Sequence, residues 1–159
     1  MSDATVRQAA ENGIQIPAPP KTGAHHVAVV QTGNLLYHSG QTPIVDGVKR
    51  YLGRVGAELT TEEAQEAARI AAMNMISQIH AFLDGRLDRI RRFVRMTGYV
   101  NSAPDYYDQA DVLHGASKAV LAVFGEERGL HARCALGMSP LPFNVSVVVD
   151  GIWELHEEK

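Results

Sequence analysis

The sequence predicts one α+β domain in which two helices cover one face of a mixed β-sheet. Segments with strand and helix periodicity follow one another in the order strand–strand, helix, strand, helix, strand–strand. The 159 residues are enough for one sizeable core. Because two helices cannot cover both faces of so wide a sheet, apolar residues should remain uncovered on the other face, as is typical of an oligomer interface.

Composition narrows the class of protein. Hydrophobic residues make up 45% and charged residues 21%, which is typical of a soluble globular chain. Lys and Arg number 15 against 18 Asp and Glu, and the net charge of −3 argues against a protein whose main task is to bind phosphates. The single cysteine, Cys134, cannot form an internal disulfide, and no secretory signal or membrane span is found. We therefore expect a cytoplasmic protein.

The N-terminal part, residues 1–22, is predicted to be a short helix followed by a tether. The helix covers Ala4–Asn12 and is stopped by Gly13. Residues 16–21 contain three prolines and should be extended along a surface. The compact domain is expected to comprise residues 23–159.

Two hairpins and a helix are predicted in the first half of this domain. Strands His26–Gln31 and Leu35–Ser39 flank a turn, and a second tight turn lies within Ile44–Val48. Thr60 and Glu63 form a capping box at the start of the helix. The apolar residues of this helix recur at helical spacing before Gly85 ends it: Ala68, Ala71, Ala72, Met75, Ile76, Ile79 and Phe82.

The second half is predicted to supply three strands and one helix. The strand Ile90–Val100 should place Ile90, Val94, Met96 and Val100 on one face and Arg91, Arg95 and Thr97 on the other. Pro104-Asp105 should open a helix that ends at Gly125, with a buried stripe of Val112, Ala116, Ala119, Val120, Val123 and Phe124. Strands His131–Met138 and Val145–Trp153 follow, joined by a rigid turn at residues 139–142.

Arg133 is the first candidate functional residue. A guanidinium on a strand, directed into a cleft, can hold a carboxylate by two parallel hydrogen bonds. The alternative is a solvated arginine or an internal salt bridge. Cys134 should point to the opposite face from Arg133, which favours a small buried hydrophobe over a reactive thiol.

Ser39 and Gly40 form a second candidate. A strand that ends in Ser-Gly lets a ligand approach the backbone closely, although a glycine required for a bulge fits equally well. Among the seven histidines, His25 and His26 should point to opposite faces, whereas His38 and His131 lie on different strands and could meet in space. None of these patterns has metal-ligand spacing, so no metal is expected.

Taken in order, several segments resemble the RidA (YjgF/YER057c/UK114) family, and in particular its longer YjgF-like members. The similarity extends over residues 16–153. The segments that carry it are residues 33–43, 53–56, 93–102, 115–117, 123–126, 131–135 and 141–142. The resemblance implies a chorismate-mutase-like fold and a homotrimer whose sheets face a central axis, with ligand clefts between subunits. It also implies hydrolysis of reactive imines and enamines to 2-oxo acids and ammonia, without metal or organic cofactor.

The resemblance also implies roles for individual residues. Arg133 matches the family arginine that binds the substrate carboxylate, and with Ser39 it is the expected catalytic pair. Gly40 lines the same cleft, and His26 takes the position of a family tyrosine. Either His114 or Ser117 lies near a family asparagine.

One position departs from the family pattern. Where active deaminases carry a glutamate that positions water, this chain has Val148, which can neither deliver water nor protonate the leaving nitrogen. Asp150 shares the strand face of Val148 but should lie ~6–7 Å further along, too far to replace the glutamate. An ordinary polar or ion-pair role is favoured for Asp150.

Three functional hypotheses follow. The protein hydrolyses imines or enamines, with water activated by a histidine such as His26 or His38. Alternatively, it is a non-catalytic trimer that binds small carboxylate metabolites or a regulatory partner. RNA cleavage or translational inhibition is the least favoured, because the basic run Arg89, Arg91, Arg92 and Arg95 should be divided between two strand faces and the overall charge is acidic.

Overall fold

The computed structural model describes residues 3–23 and 25–157. The outermost residues of the predicted tether and domain (1–2 and 158–159), together with Ala24, lie outside this range. The chain begins with helix α1 (Ala4–Glu11), whose N-cap Asp3 accepts a hydrogen bond from the Thr5 amide at 2.8 Å. Asp3 also accepts one from the Asp88 amide at 2.6 Å, and Ala9 is fully buried in the main core. The predicted first helix is therefore present, and it packs on the rest of the fold.

The two predicted hairpins are confirmed. Strands β1 (Val29–Thr32) and β2 (Leu35–Gln41) pair antiparallel around a tight turn. Strands β3 (Ile44–Val45) and β4 (Val48–Lys49) are joined by Asp46 and Gly47, which both have positive φ, as a type I′ turn requires. The predicted start of β1 at His26 is wrong: β2 changes register after His38, so regular pairing stops at Val29.

Helix α2 (Thr61–Phe82) confirms the capping-box prediction. The Glu63 amide donates to Thr60 Oγ at 3.2 Å, and the Thr60 amide donates to the Glu63 carboxylate at 2.8 Å. These bonds satisfy two amides that a helix N-terminus otherwise leaves without partners. All the predicted apolar residues of this helix are buried except Phe82.

Strand β5 (Ile90–Asn101) is present, but its predicted alternation is wrong near its start. Register shifts between β5 and its neighbouring strand change which residues face the core. As a result, Phe93 is buried and Val94 is only half-buried. Arg91, Arg92 and Arg95 are consequently all partly or fully exposed. The basic run is thus not divided between a core face and a solvent face.

The second helix also differs from the prediction at its start. Pro104-Asp105 lies in a turn, where the Tyr106 hydroxyl hydrogen-bonds to Thr61 at 2.8 Å, and helix formation begins only at α3 (Gln109–Val112). Helix α4 (His114–Gly129) follows and carries the predicted buried stripe except for its first residue, Val112, which is buried on α3. Gly125 interrupts it with φ of +70°, and one further turn continues to Gly129.

Strands β6 (Ala132–Met138) and β7 (Val147–Leu155) complete the five-stranded sheet. The strand order is β1-β2-β7-β5-β6, with β6 parallel to β5 and the other neighbours antiparallel. Helices α2 and α4 pack on one face, where Trp153 lies 4.1 Å from Phe93 and 5.3 Å from Phe124 between ring centroids. The predicted α+β class, with a mixed sheet covered on one side, is confirmed.

The other face of the sheet is left without helices, as predicted. We call it the open face; on β7 it carries Val148, Asp150, Ile152 and Glu154. Neighbouring strands add the exposed apolar side chains Val30, Tyr37 and Leu136. Among the helices in the described part of the chain, none is long and apolar enough to cross a membrane.

Candidate functional site

Arg133 lies on β6, an edge strand, and its side chain reaches over the helix-covered side of the sheet. Its Nη1 donates to Ser117 Oγ at 3.1 Å and its Nη2 to the Ala110 carbonyl at 3.2 Å. Within residues 3–23 and 25–157, no carboxylate forms an ion pair with this guanidinium. Two of its five N–H donors are used on neutral oxygens, which leaves three available for a ligand.

Ser117 connects Arg133 to His131. Ser117 Oγ lies 3.1 Å from His131 Nε2, and His131 Nδ1 lies 2.6 Å from the Gly129 carbonyl. Burial lowers the pKa of His131, and the nearby Arg133 charge acts in the same direction. The imidazole is therefore neutral at pH 7 and packs 4.7 Å from the Phe93 ring.

The structure separates His114 and Ser117, one of which the resemblance places near a family asparagine. Ser117 hydrogen-bonds directly to Arg133, whereas His114 is exposed, with its Nδ1 3.5 Å from Asp111 Oδ1. Ser117 is thus the member of the pair that belongs to the Arg133 cluster.

Ser39 and Gly40 occupy a bulged part of β2, and Ser39 faces the open side. The Ser39 hydroxyl donates to the Val27 carbonyl at 2.7 Å, and its amide donates to the Ala28 carbonyl at 2.8 Å. His26, the residue before Val27, is exposed in the loop that leads to β1. Ser39 therefore fixes the loop that carries His26.

Arg133 and Ser39 do not meet within one chain. Strands β7 and β5 lie between β2 and β6, so three strand spacings, or about 14 Å, separate them. The two side chains also lie on opposite faces of the sheet. A cleft that contains both must include residues from more than one copy of the chain.

Val148 and Asp150 project from the open face, but neither provides a free carboxylate at the position of the family glutamate. Tyr99 donates its hydroxyl hydrogen to Asp150 Oδ2 at 3.0 Å. Burial and this hydrogen bond raise the pKa of Tyr99, so the phenol stays protonated. The ordinary polar role expected for Asp150 agrees with this contact.

His38 cannot activate water beside Ser39, so this expectation is wrong. Alternation along β2 places His38 beneath helix α2, where only 6% of it is exposed. Its Nδ1 lies 2.6 Å from the Ser39 carbonyl, and burial lowers its pKa to about 4. His38 and His131 do not meet either, since their strands β2 and β6 are not neighbours.

The link from His131 through Ser117 to Arg133 was not predicted from the sequence. A spacing of two residues places His131 on the same side of the chain as Arg133, and this pattern could have indicated the pair. The register also places Cys134 opposite Thr97 on the open face, away from Arg133. Cys134 is half-buried there, so its place on the opposite face was correctly predicted.

A cavity also lies away from Arg133. It has a volume of about 730 Å³ and lies between the proline-containing segment, the β3–β4 hairpin and helix α2. None of the candidate residues named above lines it. Across the described residues, no group of three His, Cys, Asp or Glu side chains is arranged to hold a metal ion.

Comparison with known proteins identifies the family of this chain. The family model described as "YjgF/chorismate_mutase-like, putative endoribonuclease" matches residues 9–155. The chain belongs to this family. The similarity to the RidA (YjgF) family, inferred from segments that include residues 33–43 and 131–135, is thereby confirmed.

Relatives within the family cover nearly the whole chain. Protein TCP17 of Trypanosoma cruzi is 44% identical over 91% of this chain and 89% of its own. The crystal structure of Atu1372 of Agrobacterium tumefaciens, described as of unknown function, is 39% identical and covers 96% of this chain and 92% of its own, with a TM-score of 0.88. A Shewanella oneidensis protein described as an endoribonuclease candidate is 29% identical, covers 96% of this chain and 100% of its own, and has a TM-score of 0.89.

RidA itself is a more distant structural relative. RidA from an Antarctic Psychrobacter is 19% identical, covers 86% of this chain and 94% of its own, and has a TM-score of 0.55. That level of identity shows the shared fold alone.

Proposed function

We propose that this protein is a RidA-like cytoplasmic homotrimer that binds small carboxylate metabolites through Arg133 in clefts between subunits. The observation that carries the proposal is the guanidinium of Arg133, which is held by two neutral oxygens and has no acidic partner among the described residues. A positive charge of this kind attracts an anion, and its planar donors match a carboxylate.

The open face supports the trimer. Tyr37 and Val30 are 45% and 54% exposed on a surface that also carries Ile152, and burial of these groups against other copies is favourable. For one cleft to contain both halves of the site, the β2 end of one copy, with Ser39, Gly40 and His26, must lie beside the β6 edge of another, where Arg133 reaches over the helix-covered side. This arrangement resolves the separation of the two halves of the site within one chain.

Ligand-dependent thermal stability tests the carboxylate site. Pyruvate at millimolar concentration should raise the Tm of the wild-type protein, and Arg133→Ala should abolish the increase. Arg50→Ala, which removes an exposed arginine elsewhere, serves as the control. If neither pyruvate nor a panel of 2-oxo and amino acids shifts the wild-type Tm, or if Arg133→Ala retains the shift, the proposal is wrong. Sedimentation equilibrium measures the trimer independently.

Imine or enamine hydrolysis is the second candidate function. The resemblance matches Arg133 and Ser39 to residues of the family cleft, but hydrolysis also needs water at the imine carbon and a proton for the departing nitrogen. Val148 supplies neither, and Tyr99 engages Asp150. Binding without turnover is therefore better supported. Release of ammonia and 2-oxo acid from an imine generated in situ, compared with buffer and with Arg133→Ala, distinguishes the two functions.

Endoribonuclease activity, which the family description mentions, has less support in this chain. Arg91 lies 3.0 Å and Arg92 3.8 Å from carboxylate oxygens of Glu154, so two members of the basic run are partly neutralised. The net charge of −3 also disfavours a phosphate-binding role. RNA binding that weakens steeply with salt would reverse this ranking.

A further inference from the structure

We propose that Ser117 and His131 are positioning residues that fix the orientation of the Arg133 guanidinium for carboxylate binding. This inference rests on the proposed function of Arg133 and extends it. It stands on the contacts that join the three side chains at the edge of the sheet.

The direction of each hydrogen bond follows from the atoms involved. The Gly129 carbonyl can only accept, so His131 Nδ1, 2.6 Å away, must carry the hydrogen. In the neutral imidazole, Nε2 is then an acceptor, and the hydrogen of Ser117 Oγ points to it across 3.1 Å. Ser117 Oγ is left with its lone pairs to accept from Arg133 Nη1. The chain of donors runs from Arg133 through Ser117 to His131 and ends at a backbone carbonyl.

This series of hydrogen bonds fixes the plane of the guanidinium. Ser117 holds Nη1 and the Ala110 carbonyl holds Nη2, so two points on one edge are anchored to helices α4 and α3. A two-point contact with a carboxylate requires a defined plane, and a long arginine side chain on an edge strand is otherwise free to rotate. His131 is itself fixed by Gly129 and by the Phe93 ring, which gives the chain a rigid end.

The arrangement also separates positioning from ligand contact. The Ser117 hydroxyl hydrogen is committed to His131, so Ser117 has no donor left for a carboxylate. His131 is half-buried, and its Nδ1 hydrogen is committed to Gly129. Arg133 is the one member of the chain with donors to spare, and the other two residues act through it.

Paired variants test the inference with pyruvate as the probe, its Kd measured by calorimetry. His131→Phe keeps a ring against Phe93 but removes the acceptor, whereas His131→Gln restores an acceptor for Ser117. We expect His131→Phe and Ser117→Ala to weaken binding about tenfold and His131→Gln to stay within about threefold of wild type. Equal Kd values for wild type and His131→Phe, or equal losses for His131→Phe and His131→Gln, would overturn the inference.

A ligand-free measurement separates this inference from the proposed function. Nitrogen-15 NMR should show the Nδ1–H tautomer of His131 and slow rotation of the Arg133 guanidinium in the wild type, with faster rotation in His131→Phe and Ser117→Ala. If wild type binds no carboxylate but these signals are present, the proposed function fails and the positioning contacts stand. If guanidinium rotation is equally fast in all three proteins, the positioning role is wrong whatever the ligand result.

Discussion

Gly40 and Val148 are in direct contact on the open face: a Cβ at Gly40 would lie 2.8 Å from Val148 Cγ1. Val148, where the resemblance would place a glutamate, therefore packs against the bulge that also carries Ser39. In this chain residue 148 is a packing residue. The effects of changing it on stability and on imine hydrolysis can be measured separately.

Gly40→Ala should lower the free energy of unfolding by about 1–3 kcal/mol, since the added methyl group overpacks against the branched Val148 side chain. Urea denaturation at a fixed protein concentration measures this change. Val148→Ala makes room for the methyl group, so the loss should be smaller in that background. The same loss in both backgrounds would show that the contact is not its cause.

Val148→Glu should introduce imine hydrolysis or increase it by about 100-fold, because a positioned carboxylate can act on the attacking water. Val148→Gln has the same length without the charge and should remain at the wild-type rate. Ammonia release from an imine generated in situ is the measurement. A glutamate variant no faster than the glutamine variant would contradict the prediction.

The protein should lose stability as the pH falls from 6.5 to 4, partly through His38. Its pKa is about 4 when folded, against an ordinary value of 6.5, so the unfolded chain takes up this proton first. The contribution of His38 to the free energy of unfolding is fully present above pH 6.5. At pH 4 about 3 kcal/mol of it is lost.

His38→Gln supplies the control for that pH dependence. The pKa of His131 is also lowered by burial, but His131 is present in both proteins, so the difference between their curves isolates His38. Chemical denaturation at a series of pH values should give a flatter profile for the variant between pH 6.5 and 4. Parallel profiles would show that His38 is not protected from protonation in the folded state.

Gly115→Ala should destabilise the fold by about 3 kcal/mol, near the upper end of overpacking effects. A Cβ at this position would lie 1.9 Å from the Gln65 carbonyl oxygen, so helices α2 and α4 would have to move apart. Lys118→Ala, an exposed change on the same helix, should leave the free energy of unfolding within about 0.5 kcal/mol of wild type. Comparable losses in the two variants would rule out the helix contact as the cause.

Local signals predicted much of the fold. The Thr60–Glu63 capping box and the Asp46-Gly47 turn depend on a few adjacent residues, and the structure contains both. The bulge that buries Phe93 in place of Val94 depends on the pairing of β5 with β7, so alternation along β5 alone could not reveal it. The late start of the second helix is accompanied by a contact between Tyr106 and Thr61, which are 45 residues apart.

The candidate site was predictable to a smaller extent. Arg133 was identified from its residue type and from the family resemblance, and the two-residue spacing to His131 was available in the sequence. The contact with Ser117 requires α4 to pack beside β6, and the distance from Arg133 to Ser39 requires the strand order. Both are tertiary facts that no local pattern contains.

Strand β6 makes the sheet's one parallel pairing among the described strands, and its second edge has no neighbour. Opening β6 breaks backbone hydrogen bonds on one side only, so amide exchange should be faster here than in β5 or β7, which are paired on both sides. Its docking onto β5 also has to wait until the intervening helices are made and folded back. The segment that carries Arg133 is thus less protected than the strands beside it, and a subunit that covers its free edge would slow its amide exchange.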